Sequence, residues 1–213
     1  MSSFTDAILL RPKLALKIFV GILIILTFLV YRRLQRSEMS RQIQQSLQEL
    51  AALPSATEVS YLRDPAKFPG AEKLMLAIHG LGEEAVPLLF EEMERSPETR
   101  AWGLLALLQF PIPVSSGRNA PPLNLLISWL DDPDPAVSAN ASQYLSGIFV
   151  VLPEDAAQGP ALHHLNGPVT GTTEEREARA AQHHRSYTAW VKWWYANRKF
   201  TWRAMQGAYL PEK

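Results

Sequence analysis

The chain of 213 residues contains no cysteine, which excludes disulfides, thiol nucleophiles and cysteine-based metal sites. It also lacks an excess of charge, because 21 Lys and Arg balance 21 Asp and Glu. No global field therefore attracts nucleic acid. Glycine-rich phosphate loops, Gly-x-Ser-x-Gly and His-Glu-x-x-His are absent from the sequence. We predict a non-enzymatic protein that needs no cofactor and binds no nucleic acid.

Histidine is scarce, and four of the five histidines occur as the pairs His163-His164 and His183-His184. Adjacent side chains on a helix point about 100° apart, so such a pair rarely chelates one ion. No two histidines are spaced four residues apart, the spacing that would bring them onto one helix face. We predict no metal site.

One long apolar run is present, LALKIFVGILIILTFLVY at residues 14–31, and no charge interrupts it from Ile18 to Val30. A helix of this length rises about 27 Å, close to the hydrocarbon thickness of a bilayer, and Lys17 lies near enough to one end to snorkel. The following residues 31–33 offer no small side chains for signal-peptide cleavage. A soluble core helix is rarely apolar on every face. The run predicts a single-pass transmembrane helix.

The positive-inside rule gives nearly equal support to the two possible orientations of this helix in the membrane. Basic residues flank it on both sides, three before and four after: Arg11, Lys13, Lys17, Arg32, Arg33, Arg36 and Arg41. The cluster immediately after the run favours a cytoplasmic C-terminal domain, because positive charge is retained in the cytoplasm. An exported domain remains the alternative.

Residues 32–53 carry one apolar stripe on an otherwise polar helix, and Pro54 ends the pattern. The stripe consists of Leu34, Met39, Ile43, Leu47 and Leu50. It predicts a juxtamembrane helix. Two alternatives remain open: the helix packs on its own downstream domain, or it dimerises or packs on a partner.

A helix-start signal occurs twice in the central region. Asp134 is a suitable N-cap and Pro135 a suitable first helical residue, and Ser96 with Pro97 repeats that arrangement 38 residues earlier. The pattern predicts antiparallel helix pairs at about 83–95 with 97–110 and at about 121–131 with 134–148. On the last helix, the residues predicted to share a buried face are Val137, Ala141 and Leu145.

The segments IHGLGEEAVPLL (78–89) and LDDPDPAVSANASQYL (130–145) resemble short bacterial HEAT-type repeats. The family pattern is Leu-Gly-x-Ile-Gly-x-x-Ala-Val-Pro-x-Leu, followed by Leu-x-Asp-Pro-x-Pro-x-Val-Arg-x-x-Ala-x-x-x-Leu. Arg100 occupies the place of the family's arginine, whereas Ser138 replaces it in the later repeat. The resemblance implies a solenoid of helix pairs that binds proteins.

The second helix of each pair is where such a solenoid would present a binding ridge. From helical phase, the candidate partner-binding residues are Arg100, Trp102, Ser138, Asn140 and Gln143.

The C-terminal part begins with a proline- and glycine-rich loop at 151–171, followed by a helix that opens at Thr172. Tyr187, Trp190 and Trp194 form a narrow aromatic stripe on this helix. The segment Trp190–Arg198 is similar to tails that follow HEAT repeats in bacterial proteins. The stripe favours a helix that caps the open end of the array.

The alternative for the tail is a membrane-surface helix, because cations are interleaved with its aromatic residues. These cations are Lys192, Arg198, Lys199 and Arg203.

We therefore predict an all-α protein with one transmembrane helix, a short α-solenoid of HEAT-like helix pairs and a capping C-terminal helix. The predicted segments are an N-terminal tail (1–13), the transmembrane helix (14–31), a juxtamembrane helix (32–53), repeats (54–150), a loop (151–171) and the Trp-rich helix and tail (172–213). The predicted function is a membrane-anchored scaffold for a protein partner. Alternatives are an accessory subunit that contacts a larger membrane complex through the transmembrane helix, and a peripheral enzyme with an unrecognised site.

Overall fold

The computed structural model describes residues 12–109, 119–148, 160, 172–197, 199–203 and 208–211. Within these ranges the α-helices are α1 (Pro12–Ala51), α2 (Glu58–Arg63), α3 (Ala71–His79), α4 (Ala85–Arg95), α5 (Arg100–Gln109), α6 (Leu123–Ser128), α7 (Pro135–Ile148) and α8 (Thr173–Asn197). Short 3₁₀ turns occupy Pro65–Lys67, Pro97–Thr99 and Trp129–Asp131, and two strands follow, β1 (Phe200–Arg203) and β2 (Ala208–Pro211). The chain divides into two units, one ending at Gln42 and one starting at Ile43.

The first unit consists, in its described part, of the first three-quarters of α1. None of the residues in the apolar window of this helix is buried inside the protein. Large side chains such as Phe19 and Ile24 are more than 60% exposed, and the Thr27 hydroxyl donates to the Leu23 carbonyl within the helix, at 2.8 Å. By length and composition α1 is able to span a bilayer.

The second unit begins with the end of α1, where Ile43, Leu47 and Leu50 are fully buried. The C-terminal half of the predicted apolar stripe is therefore buried within the second unit. Leu34, from the N-terminal half of the stripe, is 66% exposed. The helix ends at Ala51, three residues before the proline that was expected to stop it.

The predicted helix boundaries between 83 and 148 agree with α4, α5, α6 and α7 to within a few residues. Val137, Ala141 and Leu145 are buried, as predicted. The contact between α5 and α7 is the most extensive one between helices. Gly103 allows α4 and α5 to approach closely, because a Cβ at this position would collide with the Met93 side chain.

The start of α7 follows the prediction, whereas the start of α5 does not. The Asp134 carboxylate accepts from the Ala136 backbone N–H at 2.8 Å and caps α7. Ser96 makes no side-chain cap; its hydroxyl donates instead to the Glu92 carboxylate at 3.2 Å. Because Glu92 is only 3% exposed, its charge needs donors, and Arg95 supplies another at 2.8 Å. The chain then enters α5 through a 3₁₀ turn.

The C-terminal helix α8 begins as predicted, with a reciprocal capping box. The Glu175 N–H donates to the Thr172 hydroxyl at 3.3 Å, and the Thr172 N–H donates to the Glu175 carboxylate at 2.9 Å. The prediction of an all-α fold was wrong after this helix, because β1 and β2 pair in an antiparallel hairpin. In its register Phe200 lies opposite Pro211, and Trp202 lies opposite Tyr209.

Candidate functional site

The structure distributes the five predicted partner-binding residues between core and surface. Trp102 is 1% exposed and makes edge-on contacts with the rings of Tyr61 and Phe68. Asn140 is also 1% exposed. Neither side chain offers surface to a partner, so the helical-phase assignment was wrong for these two as surface residues. Trp102 lies on the face of α5 that meets Tyr61 and Phe68, and Asn140 lies on the face of α7 that meets α5 and the start of α2.

Asn140 acts as a bridge between three backbone segments of the second unit. Its amide nitrogen donates to the carbonyls of Ala56 and Ala101, each at 2.9 Å, and its amide oxygen accepts from the Glu58 N–H at 3.1 Å. The Glu58 N–H, at the first position of α2, has no intrahelical partner, and the Asn140 side chain supplies one. This polar core contact joins α7 to α5 and to the segment that opens α2.

Arg100 is tied into the protein by three contacts. Its Nη1 donates to Asp132 at 2.8 Å, its Nε donates to the Met93 carbonyl at 3.0 Å, and its guanidinium lies 5.4 Å from the Trp129 ring centroid. The Arg100 side chain keeps 19% of its surface. A partner would have to compete with this pairing, so Arg100 is placed as a structural link between the two predicted repeats.

The remaining two candidates lie closer to the surface of α7. Ser138 is half-buried and donates to the Leu130 carbonyl at 2.8 Å, whereas Gln143 is exposed. Ser146, which is exposed one turn beyond Gln143, extends the accessible face of α7. Partner binding by this face stays a prediction, now restricted to Gln143 and its neighbours.

The aromatic stripe of α8 is buried in the second unit. Tyr187, Trp190 and Trp194 are 7%, 0% and 1% exposed, and α8 packs on α7. The indole rings of Trp190 and Trp194 meet edge to face, with centroids 4.2 Å apart. Lys192 of α8 forms an ion pair with Asp131, the last residue of the 3₁₀ turn Trp129–Asp131. The burial predicted for a capping helix is confirmed for these three aromatic residues.

An open groove of about 830 Å³ lies where the segment before α6 meets the end of α8 and the hairpin. Its lining residues are Ala120, Pro121, Pro122, Leu123, Asn124, Tyr195, Lys199, Phe200 and Tyr209. The Tyr209 hydroxyl donates to the Pro121 carbonyl and joins the two walls. Lys199 is the single charged residue among the lining residues.

The groove was not anticipated from the sequence, because its walls lie about 70 residues apart along the chain. The signal that could have pointed to it is the aromatic content after Asn197, where Phe200, Trp202 and Tyr209 fall at spacings suited to a hairpin. The Trp202 and Tyr209 rings meet edge to face across the two strands, at 5.0 Å.

The buried tyrosine hydroxyls of the second unit are held in their protonated form at neutral pH. Burial raises the pKa of Tyr187, and burial likewise raises the pKa of Tyr209, whose hydroxyl is already a donor to Pro121. Both groups therefore act as hydrogen-bond donors or spacers and are poorly suited to accept a proton.

The two histidine pairs fall partly outside the described residues. His163 and His164 lie outside them, and His184 is half-buried, with its Nε2 at 3.5 Å from the Ser138 hydroxyl. In the described part of the chain, no group of three His, Asp or Glu side chains is placed to hold a metal ion.

Comparisons with protein-family models, with curated proteins and with solved structures find no match to this chain.

Proposed function

We propose that this protein is a membrane-anchored, non-enzymatic interaction or assembly module whose second unit is built on HEAT-like helix pairs. The observation that carries the proposal is the division of α1. Its N-terminal part exposes an uninterrupted apolar surface from Ile18 to Val30, while Ile43, Leu47 and Leu50 of its C-terminal part are buried within the second unit. The same helix thus contributes an apolar segment long enough to span a bilayer and a segment that belongs to the folded second unit.

The HEAT-like part of the proposal draws support from helix spacing. Two successive helix pairs are present, α4 with α5 and α6 with α7, and their second helices pack on each other. Stacked helix pairs of this type present extended surfaces to other proteins. The accessible face of α7, around Gln143, is the part of the predicted ridge that remains available to a partner.

The anchoring half of the proposal is tested by alkaline carbonate extraction of membranes that contain the whole chain. We expect the protein to stay in the membrane pellet, because a helix with this apolar window partitions into the hydrocarbon core. Release into the supernatant would contradict it.

The interaction half is tested by photo-crosslinking in intact membranes, with a photoreactive residue at position 143 of the full chain. We expect a discrete crosslinked protein, and none from position 73, an exposed lysine on α3 that serves as the matched control. An accessory subunit that docks through α1 would crosslink from position 24 instead. No protein adduct from any of the three positions would overturn the interaction half.

A further inference from the structure

The basic residues are distributed unevenly along this neutral chain. Residues 178–211 contain no Asp or Glu, and they contain Arg179, Arg185, Lys192, Arg198, Lys199 and Arg203. The remaining sequence holds 15 basic and 21 acidic residues. The second unit therefore carries a stretch of positive charge near its C-terminal end.

Two of these cations are available to a ligand in the structure. Lys199 and Arg203 are exposed and form no ion pair with any residue the structure describes, whereas Lys192 is engaged by Asp131. Arg203 alternates with Trp202 along β1, so its charge lies on the outer face of the hairpin. Free cations on a packed element are suited to an anionic partner.

Aromatic side chains accompany these cations and retain part of their surface. Tyr195 is 37% exposed, and Trp193 and Trp202 are half-buried, in contrast to the fully packed Trp190 and Trp194. The aromatic residues of the tail thus divide into an inner set, which is fully packed, and an outer set, which keeps part of its surface; of the outer set, Tyr195 lines the groove together with Lys199. Trp and Tyr next to Lys and Arg are typical of protein surfaces that meet the headgroup layer of a bilayer.

The groove beside Lys199 is poorly built for an extended peptide. Pro121 and Pro122 have no backbone N–H, and the Pro121 carbonyl already accepts from Tyr209. A peptide strand added along this wall would therefore lack the alternating donors and acceptors that hold it. The cation, the exposed Asn124 and the aromatic walls instead suit a ligand recognised by negative charge and apolar contact.

We propose that Tyr195 and Lys199, which line the groove, and the exposed Arg203 on the outer face of the hairpin bind the headgroup layer of an anionic lipid leaflet. The proposal rests on the anchoring half of the proposed function, because an anchored domain meets the bilayer at high effective concentration. Anionic lipids concentrate in the cytoplasmic leaflet, so this binding places the second unit in the cytoplasm. That orientation agrees with the basic cluster that directly follows the apolar run.

The experiment uses the whole chain in lipid nanodiscs and reads tryptophan quenching by lipids brominated just below the headgroup. All six tryptophans lie between positions 102 and 202, so α1 contributes no signal. We expect quenching in discs that contain phosphatidylserine, little quenching in phosphatidylcholine discs, and loss of the difference at high salt.

The matched variants carry the same change in net charge. Lys199→Glu with Arg203→Glu should weaken the contact about fivefold or more per cation. Lys67→Glu with Lys73→Glu, at exposed positions away from the groove, should leave it unchanged. Equal quenching in both lipids, or an equal loss in both double variants, would overturn the proposal.

The two proposals fail separately. A chain that carbonate releases fails the anchoring claim, whatever its quenching in discs. A chain that stays anchored and shows no quenching in phosphatidylserine discs leaves the anchor in place and rejects lipid binding by Tyr195, Lys199 and Arg203. In that second case, a protein crosslink from position 195 would assign the groove to a protein partner instead.

Discussion

The two parts of α1 have similar apolar side chains in opposite environments. Leu23, Ile24 and Leu34 are more than half exposed, while Ile43, Leu47 and Leu50 have no exposed surface. One continuous helix therefore carries an apolar surface that the rest of the described chain leaves exposed, and another that its own chain covers. The difference shows that an apolar stripe identifies a buried face without identifying what buries it.

The two parts of α1 differ in the residues that surround their apolar side chains. Between Ile18 and Val30 the helix is apolar on all sides, whereas Gln45 and Glu49 pair on the outer face of the C-terminal part, at 3.0 Å. A helix with a polar face needs cover on one side only, and a folded domain supplies it. A helix that is apolar on all sides and long enough, as here, is able to span a bilayer.

The most direct test of this difference is to truncate one leucine in each part of α1. Leu47→Ala should lower the free energy of unfolding of the second unit by about 2–5 kcal/mol, because it leaves a cavity at a fully buried site. Leu34→Ala, at a site with 66% exposure, should change it by less than about 0.5 kcal/mol. Urea titration of the whole chain in detergent, followed by tryptophan fluorescence, measures both. Equal effects would mean that the two parts are not packed differently.

A charge in the apolar part tests the bilayer side of the comparison. Ile24→Arg should disfavour membrane insertion by about 2.5–3.5 kcal/mol, with little effect on unfolding of the second unit. The conservative Ile24→Leu is the control. Carbonate extraction after expression in membranes reads the outcome, and full retention of the arginine variant would argue against Ile24 lying in the hydrocarbon core.

The hydrogen bonds of Asn140 allow a second test of packing, within the core of the second unit. Asn140→Ala should destabilise the second unit by about 1–3 kcal/mol, because the Ala56 and Ala101 carbonyls and the Glu58 N–H lose a buried partner. Gln143→Ala, one turn away and exposed, should cost less than about 0.5 kcal/mol. Thermal unfolding of the three proteins in the same detergent compares them. A small effect at Asn140 would show that water can replace the bridge.

The smallest effect is expected at alkaline pH, where the buried Tyr187 resists ionisation. Its pKa is raised in the folded state, so the folded protein holds the proton more tightly than the unfolded chain. The resulting stability is complete below the unfolded pKa of about 10 and falls as pH rises above it, by at most about 1.4 kcal/mol per pH unit. Tyr187→Phe keeps the ring that stacks on Trp190 and should flatten this decline. Urea titrations of both proteins at about pH 9, 10 and 11, around the ordinary tyrosine pKa, measure how steeply the free energy of unfolding falls with pH. The same slope in the wild type and in Tyr187→Phe would contradict the expectation.

Much of the helical framework could be predicted because its signals are local. Asp134 with Pro135 and Thr172 with Glu175 mark helix starts through contacts that span only a few residues. The burial of Tyr187, Trp190 and Trp194 followed from spacing on one helix. The N-cap predicted at Ser96 does not form, because the Ser96 hydroxyl donates to the buried Glu92 carboxylate instead. A hydrogen bond to a carboxylate is stronger than one from a backbone N–H to a hydroxyl.

The candidate sites were less predictable, because they depend on which surfaces meet. Arg100 and Asn140 have the polar side chains expected of a binding ridge, yet the first pairs with Asp132 and the second bridges Ala56, Ala101 and Glu58. Only the placement of the neighbouring helices decides whether such groups face a partner or satisfy the protein's own backbone. The same holds for the groove, whose walls come from distant segments.

The sequence by itself determined where helices begin, which residues share a face, and that the stretch from Ile18 to Val30 has no polar face. These properties depend only on neighbours within a few helical turns. The tertiary structure decided that the apolar stripe of α1 is covered from Ile43 onward, that the tail aromatics divide into an inner and an outer set, and that a hairpin follows α8. Burial and polar pairing are properties of surfaces brought together, and no local pattern encodes which surfaces will meet.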